Sequence, residues 1–161
     1  REEIPDICLR TTLITGFPGE TQEDHDTLMR FVREMAFDRL GVFTYSPEEG
    51  TPAAEMPGQI PEEVKEARRA EVMGLQQEIS RKKGEGRIGQ TMLCMVEGAI
   101  PQEGAYVART YADAPDVDGY LFIRTGEMLM SGAFVRAVVT GAMEYDLIGG
   151  LIGESRDEYA E

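Results

Sequence analysis

Apolar and polar positions along the first half of the chain alternate between two periods. Residues 9–17 (Leu-Arg-Thr-Thr-Leu-Ile-Thr-Gly-Phe) are rich in β-branched and apolar side chains and predict a buried strand. Pro18-Gly19 turns the chain. Thr21 stands where a helix N-cap belongs, with Glu23 in the first turn and Asp24 three residues on. Leu28, Phe31, Val32 and Met35 then recur at the i, i+3, i+4, i+7 spacing of one apolar helix face. Residues 38–45 (Asp-Arg-Leu-Gly-Val-Phe-Thr-Tyr) predict a second strand. Strand, tight turn, amphipathic helix and strand make a βαβ unit, which implies parallel strands and a right-handed crossover.

Residues 47–58 are broken by prolines and glycines and predict a surface loop. Pro61 then opens a long helix at the position where its missing N–H is harmless. Val64, Ala67, Val72, Leu75 and Ile79 are its apolar stripe, and the rest of its surface is charged. Glycines in the Lys-Lys-Gly-Glu-Gly stretch at 82–86 end it, and the chain divides there into residues 1–87 and 88–161. Beyond that point the pattern is short strands at 91–97, 105–110, 119–124 and 134–145, the last broken near Gly141. Such strands with Gly-rich corners predict a small closed barrel of the oligomer-binding type. The polar run 155–161 is expected to fray.

Composition narrows the function classes. The chain has 161 residues, 42% of them hydrophobic, enough for a packed core. Net charge is −14. Residues 1–87 carry 18 acidic and 12 basic side chains, and residues 88–161 carry 12 and 4. That sign argues against a non-specific nucleic-acid binder, whose affinity comes from cations on phosphates, and favours a basic partner. No apolar run is long enough to span a bilayer, and the start, Arg1-Glu2-Glu3-Ile4-Pro5, resembles no leader, so a cytoplasmic protein is expected. Cys8 and Cys94 form no metal-spacing motif and are expected as reduced, buried thiols. A single histidine, His25, argues against His-based zinc sites and a hydrolytic triad.

Candidate chemistry is sparse. Gly16-Phe17-Pro18-Gly19-Glu20 lies between a strand and a helix N-terminus, where amides and the helix dipole meet anions. It lacks the Lys-Ser/Thr of a phosphate loop and carries Glu20, so a tight structural turn competes with that reading. Thr44-Tyr45-Ser46-Pro47 ends the second strand at the same edge. Arg10, at the N-terminal end of the first strand, could grip a carboxylate bidentately or pair with a local acid. His25, among Glu23, Asp24 and Asp26, is expected on a solvated face, like the acids at 48, 49, 55, 62, 63 and 66. Asp113, Asp116 and Asp118 surround Pro115 in a shaped loop that could also be an acidic docking surface; calcium would want more regular oxygen spacing.

The words of the chain are similar to those of a known family. Arg10-Thr11-Thr12-Leu13-Ile14-Thr15-Gly16-Phe17-Pro18-Gly19-Glu20-Thr21 followed by Glu23-Asp24 resembles the fifth strand and turn of the radical-SAM barrel of methylthiotransferases. The run Phe37-Asp38-Arg39-Leu40-Gly41-Val42-Phe43-Thr44-Tyr45-Ser46-Pro47-Glu48-Glu49-Gly50-Thr51-Pro52-Ala53 resembles the sixth strand and its loop. Pro61-Glu62-Glu63-Val64-Lys65 and Leu75-Gln76-Gln77-Glu78-Ile79-Ser80 match as well, and the second half is similar to a TRAM domain. Tyr111-Ala112-Asp113-Ala114-Pro115-Asp116-Val117-Asp118-Gly119 resembles the segment typical of the RimO type, which methylthiolates an aspartate of a small-subunit ribosomal protein.

The resemblance implies a fold of two parts: the last βα units of a TIM-like radical-SAM barrel, then a small all-β TRAM barrel. It implies S-adenosylmethionine and two [4Fe–4S] clusters as cofactors of the whole enzyme. The chain departs from the pattern because it has no Cys-x₃-Cys-x₂-Cys loop, so it is expected to hold no metal and to be inactive alone. The resemblance places Ile14 and Gly16 against the adenine of adenosylmethionine, Tyr45 and Ser46 behind it, and Arg10 near cofactor or substrate. Asp113, Asp116 and Asp118 become the docking residues for the basic ribosomal protein. A tRNA-modifying relative of the MiaB type, and a TRAM-containing module without catalysis, are the alternatives. The acidic second half is the wrong sign for RNA.

Overall fold

The computed structural model describes residues 2–152. The expectation for 155–161 lies outside the described residues. The chain falls into two compact units, Arg1–Ile79 and Ser80–Glu161.

The first unit is built as β1 (Arg10–Thr15), α1 (Gln22–Met35), β2 (Arg39–Thr44) and most of α2 (Glu62–Glu85). β1 and β2 pair in parallel, Arg10 opposite Arg39 through Thr15 opposite Thr44. The βαβ reading therefore holds. A TIM-like barrel is not seen among the described residues: the sheet of this unit has two strands. Thr21 closes a reciprocal capping box with Asp24, as its spacing predicts. The bonds from Thr21, its backbone N–H first, hold the Asp24 carboxyl below its ordinary range. A left-handed Ala36 ends α1. Val32, Val42 and Val72 are the buried centre, with Leu13, Leu28, Leu40, Leu75 and Ile79 packed around them.

Two positions of α1 differ from expectation. Phe31 is half exposed, its ring set edge-on to Phe37. His25 is buried, not solvated. It lies one turn before Leu28 and Met29 and two before Val32, on the face that meets α2, and its Nε2 is 2.8 Å from Glu71. Flanking acids suggested a wet surface, but helical geometry sends them to other faces.

The second unit is a closed barrel of β3 (Thr91–Ile100), β4 (Ala105–Thr110), β5 (Leu121–Arg124), β6 (Phe134–Ala142) and β7 (Leu147–Leu151), in the order β3-β4-β5-β7-β6. Alternation along β3 buries Met92, Cys94 and Val96, and the first two join Ala108, Leu121, Ile123, Ala137, Val139 and Leu147 in the core. The break expected near Gly141 is a register shift within the β6–β7 pairing; the turn itself comes later. There Met143 N–H donates to the Asp146 carbonyl and Tyr120 N–H to the Asp146 carboxylate. β7 follows with two glycines, which mask its strand character.

Candidate functional site at the carboxyl ends of the parallel strands

In parallel α/β units, ligands gather at the carboxyl ends of the strands. Here those ends are Thr15-Gly16 and Thr44-Tyr45. Gly16 has φ +74°, a left-handed conformation that favours glycine. A Cβ at this position would also collide with the stem of Lys65 from α2. Lys65 is buried, and its Nζ donates to the Tyr45 carbonyl at 2.9 Å and to the Glu62 carboxylate at 3.0 Å. The same ammonium stands 5.6 Å from the centroid of the Tyr45 ring. Phe17 meets that ring edge-on, centroids 5.2 Å apart.

Of the two readings of Gly16–Glu20, the geometry favours the tight structural turn. The Gly16 N–H donates to the Glu20 carboxylate at 2.8 Å, so the loop supplies its own anion. Arg68, one turn after Lys65 on α2, donates to that carboxylate at 2.6 Å and to the Glu20 carbonyl at 3.2 Å. Gly19 N–H is taken by the Gly58 carbonyl. The segment is a tight, internally neutralised turn.

The sheet presents Ile14 and Phe43 together. They are register partners, 58% and 64% exposed, and form an open apolar surface next to the turn. Phe43, Lys65 and Arg68 are not marked as site residues by the sequence, whereas Glu20 is marked as the charge that disfavours a phosphate loop. Phe43 was recoverable, because a parallel register with Ile14 follows from the two strand patterns. Lys65 and Arg68 were not, because nothing local marks which charges of a charged helix turn inward. Tyr45 is buried, Ser46 is exposed, and both adjoin the site. Arg10 is exposed at the opposite end of β1, about 16 Å away at the ~3.3 Å rise of a strand, so it is not brought to this cluster.

Asp113, Asp116 and Asp118 do not present one acidic surface. Asp113 is buried, and its Oδ2 accepts from the Thr110 N–H at 2.9 Å and the Thr110 hydroxyl at 2.6 Å. Asp118 accepts from the Ala114 N–H at 2.6 Å. Asp116 alone is fully exposed, with φ +58°. Two of the carboxylates thus shape the loop.

Neither cysteine is part of a donor set. Cys8 is half-buried in the first unit; Cys94 is buried in the barrel, its thiol directed at the Val135 carbonyl and its pKa pushed up by burial to about 11. Among the described residues no group of three or more His, Cys, Asp or Glu could hold a metal ion. Nor is any helix among them long and apolar enough to cross a membrane.

Comparison with known proteins fits this division. Residues 88–152 match the family model of the TRAM domain. Across both units the chain is similar to proteins named "Ribosomal protein uS12 methylthiotransferase RimO". That of Lachnoclostridium phytofermentans is 57% identical over 149 residues, 92% of this chain and 34% of the relative. That of Pelotomaculum thermopropionicum is 53% identical over 150 residues, again 92% and 34%. That of Acetivibrio thermocellus is 50% identical over 155 residues, 96% and 34%. The chain spans about a third of the length of these relatives. That similarity runs through both units, and the TRAM match lies within the second.

Proposed function

We propose that this chain is part of a radical-SAM methylthiotransferase that places a methylthio group on the β-carbon of an aspartate in the small-subunit ribosomal protein uS12. The 57% identity to a protein of that name, over 92% of the chain, carries the reading. In it, residues 1–87 are part of a radical-SAM barrel with its linker helix, and residues 88–161 are the TRAM domain.

Ile14, with Phe43 beside it, offers the flat apolar surface that an adenine needs, at the strand ends where such ligands lie. Tyr45 and Ser46 border that surface, and Gly16 acts through its missing side chain, which admits Lys65. Adenosylmethionine, bound beside a reducing cluster in the whole protein, supplies the hydrogen-abstracting chemistry and the methyl group. This chain's share is to bind and orient it. The iron–sulfur clusters do not fit this chain: a thiolate set is missing, and Cys94 points into an apolar barrel core. No step through a cluster is assigned to these residues, and the chain on its own is inactive. Arg10, at the far end of β1, has no part in this wall.

The TRAM barrel docks the basic ribosomal protein rather than tRNA. The charge of residues 88–161, 12 acidic against 4 basic side chains, supports that choice. Asp116 is the exposed carboxylate of the loop, while Asp113 and Asp118 hold its shape. Reduced thiols and oxygen-sensitive clusters suit the cytoplasm.

The test is anaerobic transfer with the whole protein that contains this chain. Reconstituted protein, adenosylmethionine, a sulfur source and uS12 are expected to yield uS12 carrying methylthio in place of one hydrogen, read by peptide mass spectrometry. Methylthiolated tRNA with unmodified uS12 would overturn the assignment.

A further inference from the structure

Lys65 is the least exposed lysine or arginine among the described residues. An ammonium so placed needs partners, because losing its hydration is costly. Its carboxylate partner, Glu62, is two-thirds exposed, and such a pair contributes little. The inward bond goes instead to a main-chain carbonyl, that of Tyr45, the first residue past β2. The stem of the same side chain lies over Gly16, the first residue past β1, so closely that a Cβ would not fit. One side chain thus fastens the exits of both parallel strands.

What it fastens is incomplete by itself. The Tyr45 side chain is buried, its ring held between Phe17 and the Lys65 ammonium, yet its hydroxyl has no hydrogen-bond partner. A buried hydroxyl left unpaired is costly, and a ligand that reaches it would relieve that cost. We propose that Lys65 is a positioning residue for adenosylmethionine: by bonding the Tyr45 carbonyl over Gly16 it sets the Tyr45 ring and hydroxyl where the cofactor meets the wall. This inference rests on the methylthiotransferase reading above.

The experiment measures adenosylmethionine affinity by equilibrium dialysis on the anaerobically reconstituted whole protein, with thermal unfolding alongside. Lys65→Met keeps the stem and removes both bonds; Tyr45→Phe keeps the ring and removes the hydroxyl. Each is expected to weaken binding about tenfold, and the double variant also by about tenfold, since both act on one contact. Glu62→Gln is expected to stay within about twofold of wild type, as an exposed pair should. Lys65→Arg, which keeps a donor for the carbonyl, is expected to recover affinity to within about threefold. Wild-type affinity in Lys65→Met, or a double variant weakened by the product of the single losses, would overturn the inference. Should Lys65→Met not fold, Tyr45→Phe decides, and wild-type affinity there overturns it equally. A wild-type protein that binds no adenosylmethionine would remove the methylthiotransferase reading and this inference with it. Unaltered variants of a wild type that does bind would remove this inference alone.

Discussion

Cys94 shows how a single residue carries its surroundings in its titration. Buried in the barrel core, it keeps its proton to about pH 11 against 9.0 for a free thiol. A group whose folded pKa is raised stabilises the fold fully below the unfolded value and loses that contribution as pH rises through the folded one. The window here is pH 9 to about 11. We expect Cys94→Ala to be less stable than wild type at pH 8, where the cavity it leaves is the whole difference. That difference should shrink as pH climbs through the window, because only the wild type then has a thiol to ionise. Thermal unfolding of the two proteins across pH 8–11 checks it; a gap that stays constant would contradict the burial argument. The charged residues of the first unit carry the opposite lesson. Glu20, Lys65 and Arg68 sit in ordinary acidic and basic words, yet they become the inward-facing cluster under the β1 and β2 exits.

At the scale of elements, α2 is long, and most of its helical turns carry a good helix former. Gly74 is an exception within the helix interior. It lies mid-helix, exposed, with open space where a Cβ would stand. Gly74→Ala should therefore stabilise the first unit by about 0.5–1 kcal/mol, raising its Tm by about 2–8 °C, with no effect on the strand ends. Calorimetry of the two proteins measures this, and a lowered Tm would show that the glycine serves packing. The elements themselves were largely legible. The Thr21 cap, the two strand runs and the Pro61 start rest on local chemistry, which a single sequence carries in full. What local chemistry could not supply was the helix face. Three acids and a histidine in one turn look alike in sequence, and only the packing of α2 on α1 selected His25 for burial.

For the molecule as a whole, charge is the property with the longest reach. The chain is acidic throughout and most one-sided in its second half. A partner drawn by that field should associate in a salt-dependent way, since screening shortens to about 8 Å at ~0.15 M salt. We expect the intact chain to bind the basic protein uS12 more weakly as salt rises from ~0.05 to ~0.3 M, and not to hold tRNA at ~0.15 M. Fluorescence anisotropy with either ligand checks this, and tight tRNA binding would reverse the choice of partner.

Local pattern accounts for the periodicities: a βαβ unit, a long charged helix and an all-β second half, together with net charge and the family words at 10–24 and 37–53. These follow from near-neighbour sterics, capping and apolar spacing, which act over a few residues. The remaining contacts join residues far apart in the chain. Glu20 and Arg68 are 48 positions apart, and Lys65 and the Tyr45 carbonyl 20. The strand order of the barrel, with β5 parallel to β7, is likewise a matter of closure and not of any one strand's residues. Such pairings are set by which faces the core leaves no room for, and that is a property of the folded chain.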